Sequence, residues 1–345
     1  MQHEVKNPVD LLDKKGRIVE QGWARRPYWR YDRKRIHAPS WRIKEWDYYA
    51  VVNQKKGYAV TATMSDLGYG AMYALSYEDY TRKACAQQSA MAFFPKRMGF
   101  VSSSAFDQDI SWANKDLRFA FVNKNGKRHI LFASPSLVLP DGTKGLDVDL
   151  TLVQPSELES MNIATSWEKK RTAFYLNQKV NCMEATGRIR RGYAIEEVGP
   201  KEAWGVLDWG RGVWTYQNRW YWGSASGLVD GVRFGFNLGY GFSDRSPASE
   251  NVLFYDGVIH KLDEISFHIP ENSFLAPWTF TSNDDRLRLS FQPCVDRSSD
   301  INALVIKSVQ HQVFGYFSGD TVLDDGRIIH LDHFPGFAED VFNRW

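Results

Sequence analysis

A chain of 345 residues with 43% hydrophobic and 24% charged residues has the composition of a folded globular protein, not of a disordered one. Its formal net charge of +2 leaves no basic excess to attract a polyanion. No apolar run reaches the roughly 20 residues of a membrane-spanning helix, and three cysteines without C-x-x-C spacing argue against a disulfide scaffold or a zinc site.

The N-terminal MQHEVKNPVD has no apolar core of the kind a signal peptide needs, so a cytoplasmic location is expected. RRPYWRYDRKR (25–35) is basic with interleaved aromatics, a composition that formally fits single-stranded nucleic acid. The rest of the chain is charge-balanced, so a solvated arm with arginines stacked on aromatics is expected, and no nucleic-acid partner.

Beyond the arm, period-2 alternation recurs. LRFAFV (117–122), LDVDLTL (146–152), VRFGFNL (232–238), EISFHI (264–269) and RLRLSF (286–291) each put apolar residues on one face and polar ones on the other. Turn signals separate them: NKNGK at Gly126, PDG at 140–142, YDG at 255–257 and DDG at 324–326. Helical patterning is confined to 77–92, PSELESM after Pro155, and the C-terminal FAEDVFNRW. The predicted class is all-β, with few short helices.

The sequence also repeats itself. KEWDYYAVV (44–52) precedes DLGYG (66–70), as NRWYWGSAS (218–226) precedes NLGYG (237–241). GWARRPYW (22–29) and WGRGVW (209–214) stand before them in the same order. This suggests a duplicated domain, with residues 1–168 as one unit and 169–345 as the other.

Among possible sites, GSASG (223–227) has Ala225 where a nucleophile elbow needs serine. Neither a G-x-G-x-x-G helix start nor a Walker sequence occurs. His330 and His333 form a close pair without an apparent third ligand, so no metal and no cofactor is expected. The densest signal is DWGRGVWTYQNRWYWGSASG (208–227). Asp208 between Leu207 and Trp209 invites desolvation, which would raise its pKa, whereas pairing with Arg211 would lower it. The sequence leaves both readings open, and a structural Asp208–Arg211 pair beside Gly210 and Gly212 is a third. Trp220 and Trp222 share one strand face, Arg219 and Tyr221 the other. Glu250 supplies a second carboxylate, and Asn237 stands where the first repeat has Asp66.

DWGRGVW, RWYWGSASG, NLGYGF, ENVLFYDG, FQPCVDR and the GF-x-ED-x-x-x-RW ending together resemble a widespread family known only as a domain of unknown function. GWARRP and the KEWDYYAV–DLGYG block fit it too, so the resemblance spans nearly the whole chain. That family is similar to the calycin-like group and, distantly, to carotenoid 1,2-hydratase, tocopherol cyclase and lipocalin-like pericyclases. The resemblance implies two tandem lipocalin-like antiparallel β-barrels, but it carries over no catalytic residue.

Barrels of this class enclose small apolar ligands. Protonating a C=C bond needs an acid, and the resulting cation needs electron-rich aromatic faces. The expectation is a hydro-lyase or isomerase/cyclase on a small hydrophobic, perhaps isoprenoid, molecule. Asp208, Arg211 and Glu250 would be catalytic, with Asp208 the general acid. Trp209, Trp214, Arg219, Trp220, Trp222 and Asn237 would contact the substrate. Two alternatives stand beside it: a non-catalytic carrier of a hydrophobic ligand, and a carbohydrate-processing enzyme using a carboxylate pair such as Asp208 and Glu250.

Overall fold

A computed structural model describes residues 2–93, 98–303 and 306–344; Trp345, the last letter of the family ending, lies outside the described residues. An N-terminal arm carries β1 (Val9–Asp10), β2 (Gly22–Ala24) and β3 (Trp29–Arg30). Then come β4 (Ile43–Asn53), β5 (Tyr58–Asp66), β6 (Gly70–Asp79), β7 (Ala84–Phe93), β8 (Gln108–Ala113), β9 (Arg118–Lys124), β10 (Lys127–Val138), β11 (Lys144–Val153), β12 (Met161–Trp167), β13 (Lys170–Arg191) and β14 (Ala194–Val213). A second series follows: β15 (Gln217–Val229), β16 (Val232–Tyr240), β17 (Val252–Tyr255), β18 (Val258–Lys261), β19 (Ile265–His268), β20 (Trp278–Ser282), β21 (Leu287–Ala303), β22 (Ile306–Val322) and β23 (Ile328–Arg344).

The strands form two curled antiparallel sheets. The first runs β7-β6-β5-β4-β14-β13-β11-β10-β9-β8, with β12 added to β13 and β2 to β12. The second runs β18-β17-β16-β15-β23-β22-β21-β20-β19. In each, the first strand of the meander is hydrogen-bonded to the last, β4 to β14 and β15 to β23. Each sheet curls around its own core as a half-barrel. In the first, Ser134 of β10 donates to Gln88 of β7, near the far edge. In the second, Phe267 N of β19 donates to the Tyr240 hydroxyl of β16 at 3.1 Å. The all-β, lipocalin-like expectation is met.

KEWDYYAVV lies on β4 and NRWYWGSAS on β15, the two topologically equivalent strands, and the LGYG motifs close the following strands. The third pair of blocks does not correspond. WGRGVW is on β14, the last strand of the first sheet, whereas GWARRP is on β2, outside the meander. The chain passes between sheets across 214–216. Residues 168/169 fall instead in the turn between β12 and β13, both in the first sheet.

The three helical expectations give way to strands or turns. YEDYTRKACAQQSAMA spans the end of β6, a turn and β7, and FAEDVFNRW continues β23. β23 is central and covered on both faces, so its charged and apolar residues fall on neither side exclusively and imitate helical spacing. PSELESM is a turn leading into β12. Among the described residues the helices are single 3-10 turns, Arg33–Arg35 and Ser40–Arg42.

Each half-barrel encloses an apolar core. Phe119, Phe121, Phe132, Leu150 and Trp209 fill the first, and Phe234, Phe236, Trp278, Phe280, Phe291 and Phe317 the second. Each such side chain contributes about 1.5–3 kcal/mol by leaving water. The N-terminal arm adds Val5, Leu11, Trp29 and Tyr31 to the first core. It also straps the halves together: Gln2 donates to Leu262 O and accepts from Ser249 N. Four arginines of RRPYWRYDRKR are ion-paired within the chain, Arg25 with Glu4 and Glu159, Arg30 and Arg35 with Asp10, and Arg33 with Glu45, while Arg26 donates to the Ser156 carbonyl.

The outer faces of the two sheets are pressed together. Two mixed apolar clusters form this seam. One joins Trp23, Ile163 and Tyr175 to Trp214, Phe242 and Val252; the other joins Tyr48, Ala50 and Val206 to Trp222, Phe314 and Phe337.

Candidate functional site in the seam between the sheets

The period-2 rule decides which residues reach the seam. On β14, Leu207, Trp209 and Val213 enter the first core, so Asp208, Gly210 and Gly212 point the other way, into the seam. Asp208 therefore cannot share a pocket with Trp209 or Arg211. Arg211 is fully buried in the first half-barrel. Its guanidinium lies 3.9 Å from the Trp209 ring centroid and bonds Asp47 at 3.0 Å and the Trp46 carbonyl. The Asp208–Arg211 pair is thus replaced by Asp47–Arg211. Trp209 packs edge-on against Tyr31.

Asp208 pairs with a residue the sequence reading did not single out. Lys179 of β13 sits opposite it in register, with Nζ 2.9 Å from Oδ2, and Asn177 donates to Oδ1 at 2.5 Å. The Lys179 side chain is 3% exposed and that of Asp208 12%, so the aspartate forms the edge nearer to solvent. The Lys179 ammonium also lies 3.7 Å from the Trp222 ring centroid, which ties the two sheets by a cation–π contact.

Two more carboxyls come from the second sheet. Glu250 follows β16 and folds back over Gly239, where a Cβ would overlap its carboxylate. The Tyr175 hydroxyl of the first sheet reaches its Oε2 at 3.4 Å. Glu339 of β23 stands in register beside Trp222 and accepts from Gln312, with the Trp220 Nε1 at 3.4 Å. Burial pushes Glu250 up to about 7; the Lys179 ammonium pulls against this and the Asp208 charge adds to it. Burial likewise pushes Glu339 up to about 7, opposed by Arg297 and Lys179 and reinforced by Asp208. Burial and then the charge of Glu250 drive Tyr175 far above its ordinary range.

Aromatic side chains close the site. Trp214 makes edge contacts with Trp46, Tyr175 and Trp220. Trp46 can lie against β14 because position 210 is glycine, since any Cβ there would penetrate its indole. Trp46 and Trp220 are only half-buried and mark the open side of the seam. Asn237 is a brace: it accepts from Trp222 Nε1 at 2.7 Å and donates to the Glu250 carbonyl at 2.8 Å.

The structure therefore brings Asp208, Glu250, Trp214, Trp220, Trp222 and Asn237 together. It places Trp209, Arg211 and Arg219 elsewhere. Arg219 is exposed, pairs with Asp340 and leans over Tyr221 on the other face of β15. Lys179, Glu339, Asn177 and Tyr175 complete the cluster. A lysine inside the apolar FYLNQKVNCM run was the one sequence signal that could have found it. Outside the seam, His330 pairs with Asp320 and His333 with Asp332 on the surface.

Fold and site define an all-β protein of two half-barrels with an acid-rich polar cluster buried between them. Residues 2–345 match the family described as a domain of unknown function, DUF2804, and the chain belongs to it. No curated protein sequence matches the chain. The fold is similar to that of a Nitrosomonas europaea protein given the provisional name AttH, with TM-score 0.52, 12% identity and coverage of 88% of this chain and 92% of that one. It is also similar to CghA solved with Sch210972, with TM-score 0.52, 10% identity and 88% of both chains covered.

Proposed function

We propose that the seam is the active site of a hydratase- or isomerase-type enzyme acting on a small hydrophobic molecule. The observation that carries this reading is the placing of two buried carboxyls, Glu250 and Glu339, each pushed up to about 7 by burial, beside the Lys179–Asp208 ion pair under a tryptophan wall. A carboxyl poised near neutrality can both give and take a proton at working pH. The proton-donor role passes from Asp208, engaged by Lys179 and Asn177, to Glu250. The Glu250 O–H bond breaks as its proton takes the π pair of an alkene and a C–H bond forms. Water then adds a C–O bond to the cationic carbon and surrenders its proton to a carboxylate, or loss of a neighbouring proton restores a shifted double bond. Either course balances without oxidant or reductant. The half-buried Trp220 flanks the reacting carbon with Trp214 packed behind it, while Trp222 is engaged by Lys179. The likeness to CghA, solved with Sch210972, supports a small-molecule site in this fold.

The test is incubation of the purified protein with squalene, lycopene and farnesol in D2O and in H2(18)O, read by mass spectrometry. Isotope enters at least one substrate with wild-type protein and not with Glu250→Gln, which keeps its fold by circular dichroism. An apolar ligand that co-purifies and emerges isotopically unchanged would instead establish a carrier.

A further inference from the structure

The seam has a second polar end that the proposed chemistry does not use. Arg297, Gln312, Glu339, Trp222 and Gly239 are successive register partners on β21, β22, β23, β15 and β16. They form one row across the second sheet, about 19 Å long at the usual strand spacing. Glu250 lies over the Gly239 end. The Arg297 end faces β6 and β7 of the first sheet: Gln87 of β7 donates to the Ser298 carbonyl at 2.9 Å, and Tyr80 packs against Tyr316 and Phe314.

At this end, complementary polar atoms meet without satisfying one another. Both carboxylate oxygens of Glu78, which is 0% exposed, lack a hydrogen-bond partner within the chain. So do the Tyr80 hydroxyl, the Arg297 Nε and the Gln312 Oε1. Ser76, two residues along β6 from Glu78, is engaged with Thr61 and is the side-chain hydroxyl of the chain that acts on Glu78. Leu75 and Tyr77 enter the first core, so Ser76, Glu78 and Tyr80 alternate onto the seam side, where Tyr80 packs on Phe314 and Tyr316 of β22, the strand paired with Arg297. More than nine in ten buried polar groups in folded proteins are paired, and each orphan costs about 1–3 kcal/mol. These unpaired donors and acceptors come from β6, β21 and β22 on the same side of the seam, a feature that folding alone does not favour.

We infer that Glu78, Tyr80 and Arg297 form a subsite that takes a hydroxyl group on the substrate. A hydroxyl donates to Glu78 and accepts from Arg297 or Tyr80 with one atom. A carboxylate head would face Glu78 and Glu339, and an ammonium head would face Arg297. The substrate class is thus a neutral hydrophobic alcohol or phenol, its reacting bond toward Glu250. This inference rests on the seam serving a hydrophobic substrate.

The test compares farnesol with farnesyl methyl ether, which lacks only the donor, by quenching of seam tryptophan fluorescence. Wild-type protein binds farnesol about tenfold more tightly than the ether. Glu78→Leu erases the difference while Tm holds or rises, because an unpaired buried carboxyl is removed. Equal affinities in the wild type, binding of neither probe, or a fall in Tm of about 3 °C or more in Glu78→Leu overturns the inference. If isotope incorporation fails while farnesol discrimination persists, the reaction is wrong and the subsite stands. If incorporation occurs without discrimination, the subsite is wrong and the reaction stands.

Discussion

Lys179 holds the cluster together at the scale of single residues. It is the ammonium beside Asp208, it covers the Trp222 face, and it counters the rise of both Glu250 and Glu339. Replacing it with methionine keeps the bulk and strands Asp208 among other carboxyls, a loss of about 3–5 kcal/mol for a broken buried pair. Lys179→Met combined with Asp208→Asn removes both charges and should recover most of that loss. Urea denaturation of the two single variants and the double gives the coupling energy, and strict additivity would show that the pair carries no such role. Only half of this pair was legible beforehand. Asp208 drew notice through its aromatic neighbours, but those neighbours lie on the opposite face of β14, and the adjacent Arg211 belongs to another ion pair altogether. One-residue parity separates Asp208 from Leu207, Trp209 and Arg211, the close sequence neighbours that made it conspicuous.

Glycines set the geometry of whole strands. Gly210 lets Trp46 lie across β14, and Gly239 lets the Glu250 carboxyl rest on β16. The two obstacles differ in kind: an indole wedged among Tyr175 and Trp214 cannot retreat, whereas the end of a glutamate can. Gly210→Ala should therefore cost about 1–3 kcal/mol by overpacking, visible as a lower Tm. Gly239→Ala should leave Tm within about 1 °C and displace Glu250 alone, so that isotope incorporation falls while stability does not. Equal thermal losses in both variants would mean that Glu250 is as rigidly packed as Trp46. The strands themselves were legible wherever one face meets solvent, as in LDVDLTL, where alternation is clean. They were illegible in FAEDVF, where Phe337 and Glu339 face the seam and Ala338 and Asp340 the other way, so both faces are buried. Glu339 was lost with that misread strand.

Across the whole molecule, the packing of two curled sheets makes the seam. Two meanders that each close first strand on last leave outer faces that neither half can cover alone, and burying them against one another traps ionisable groups contributed by both. Their titration gives stability an unusual pH profile. Glu78, Glu250 and Glu339 are raised from 4.5 to about 7, so the native state holds protons that the unfolded chain has released. Their contribution is full below pH 4.5 and is lost as pH rises through 7, at about 1.4 kcal/mol per pH unit for each proton. Lys44 and Lys261 are lowered from 10.5 to about 7 by burial, so above pH 7 the unfolded chain binds the extra protons and stability rises again. The half-buried thiol of Cys85 and the buried one of Cys182, raised by burial from 9.0 to about 11 and about 12, offset this rise above pH 9. Tm measured at pH 5.5, 7 and 8.5 should therefore pass through a minimum near neutrality. Glu339→Gln should flatten the acid limb and Lys261→Met the alkaline one. A single maximum at pH 7 in the wild type, the commoner behaviour of folded proteins, would show that these groups do not keep their charges buried in the native state.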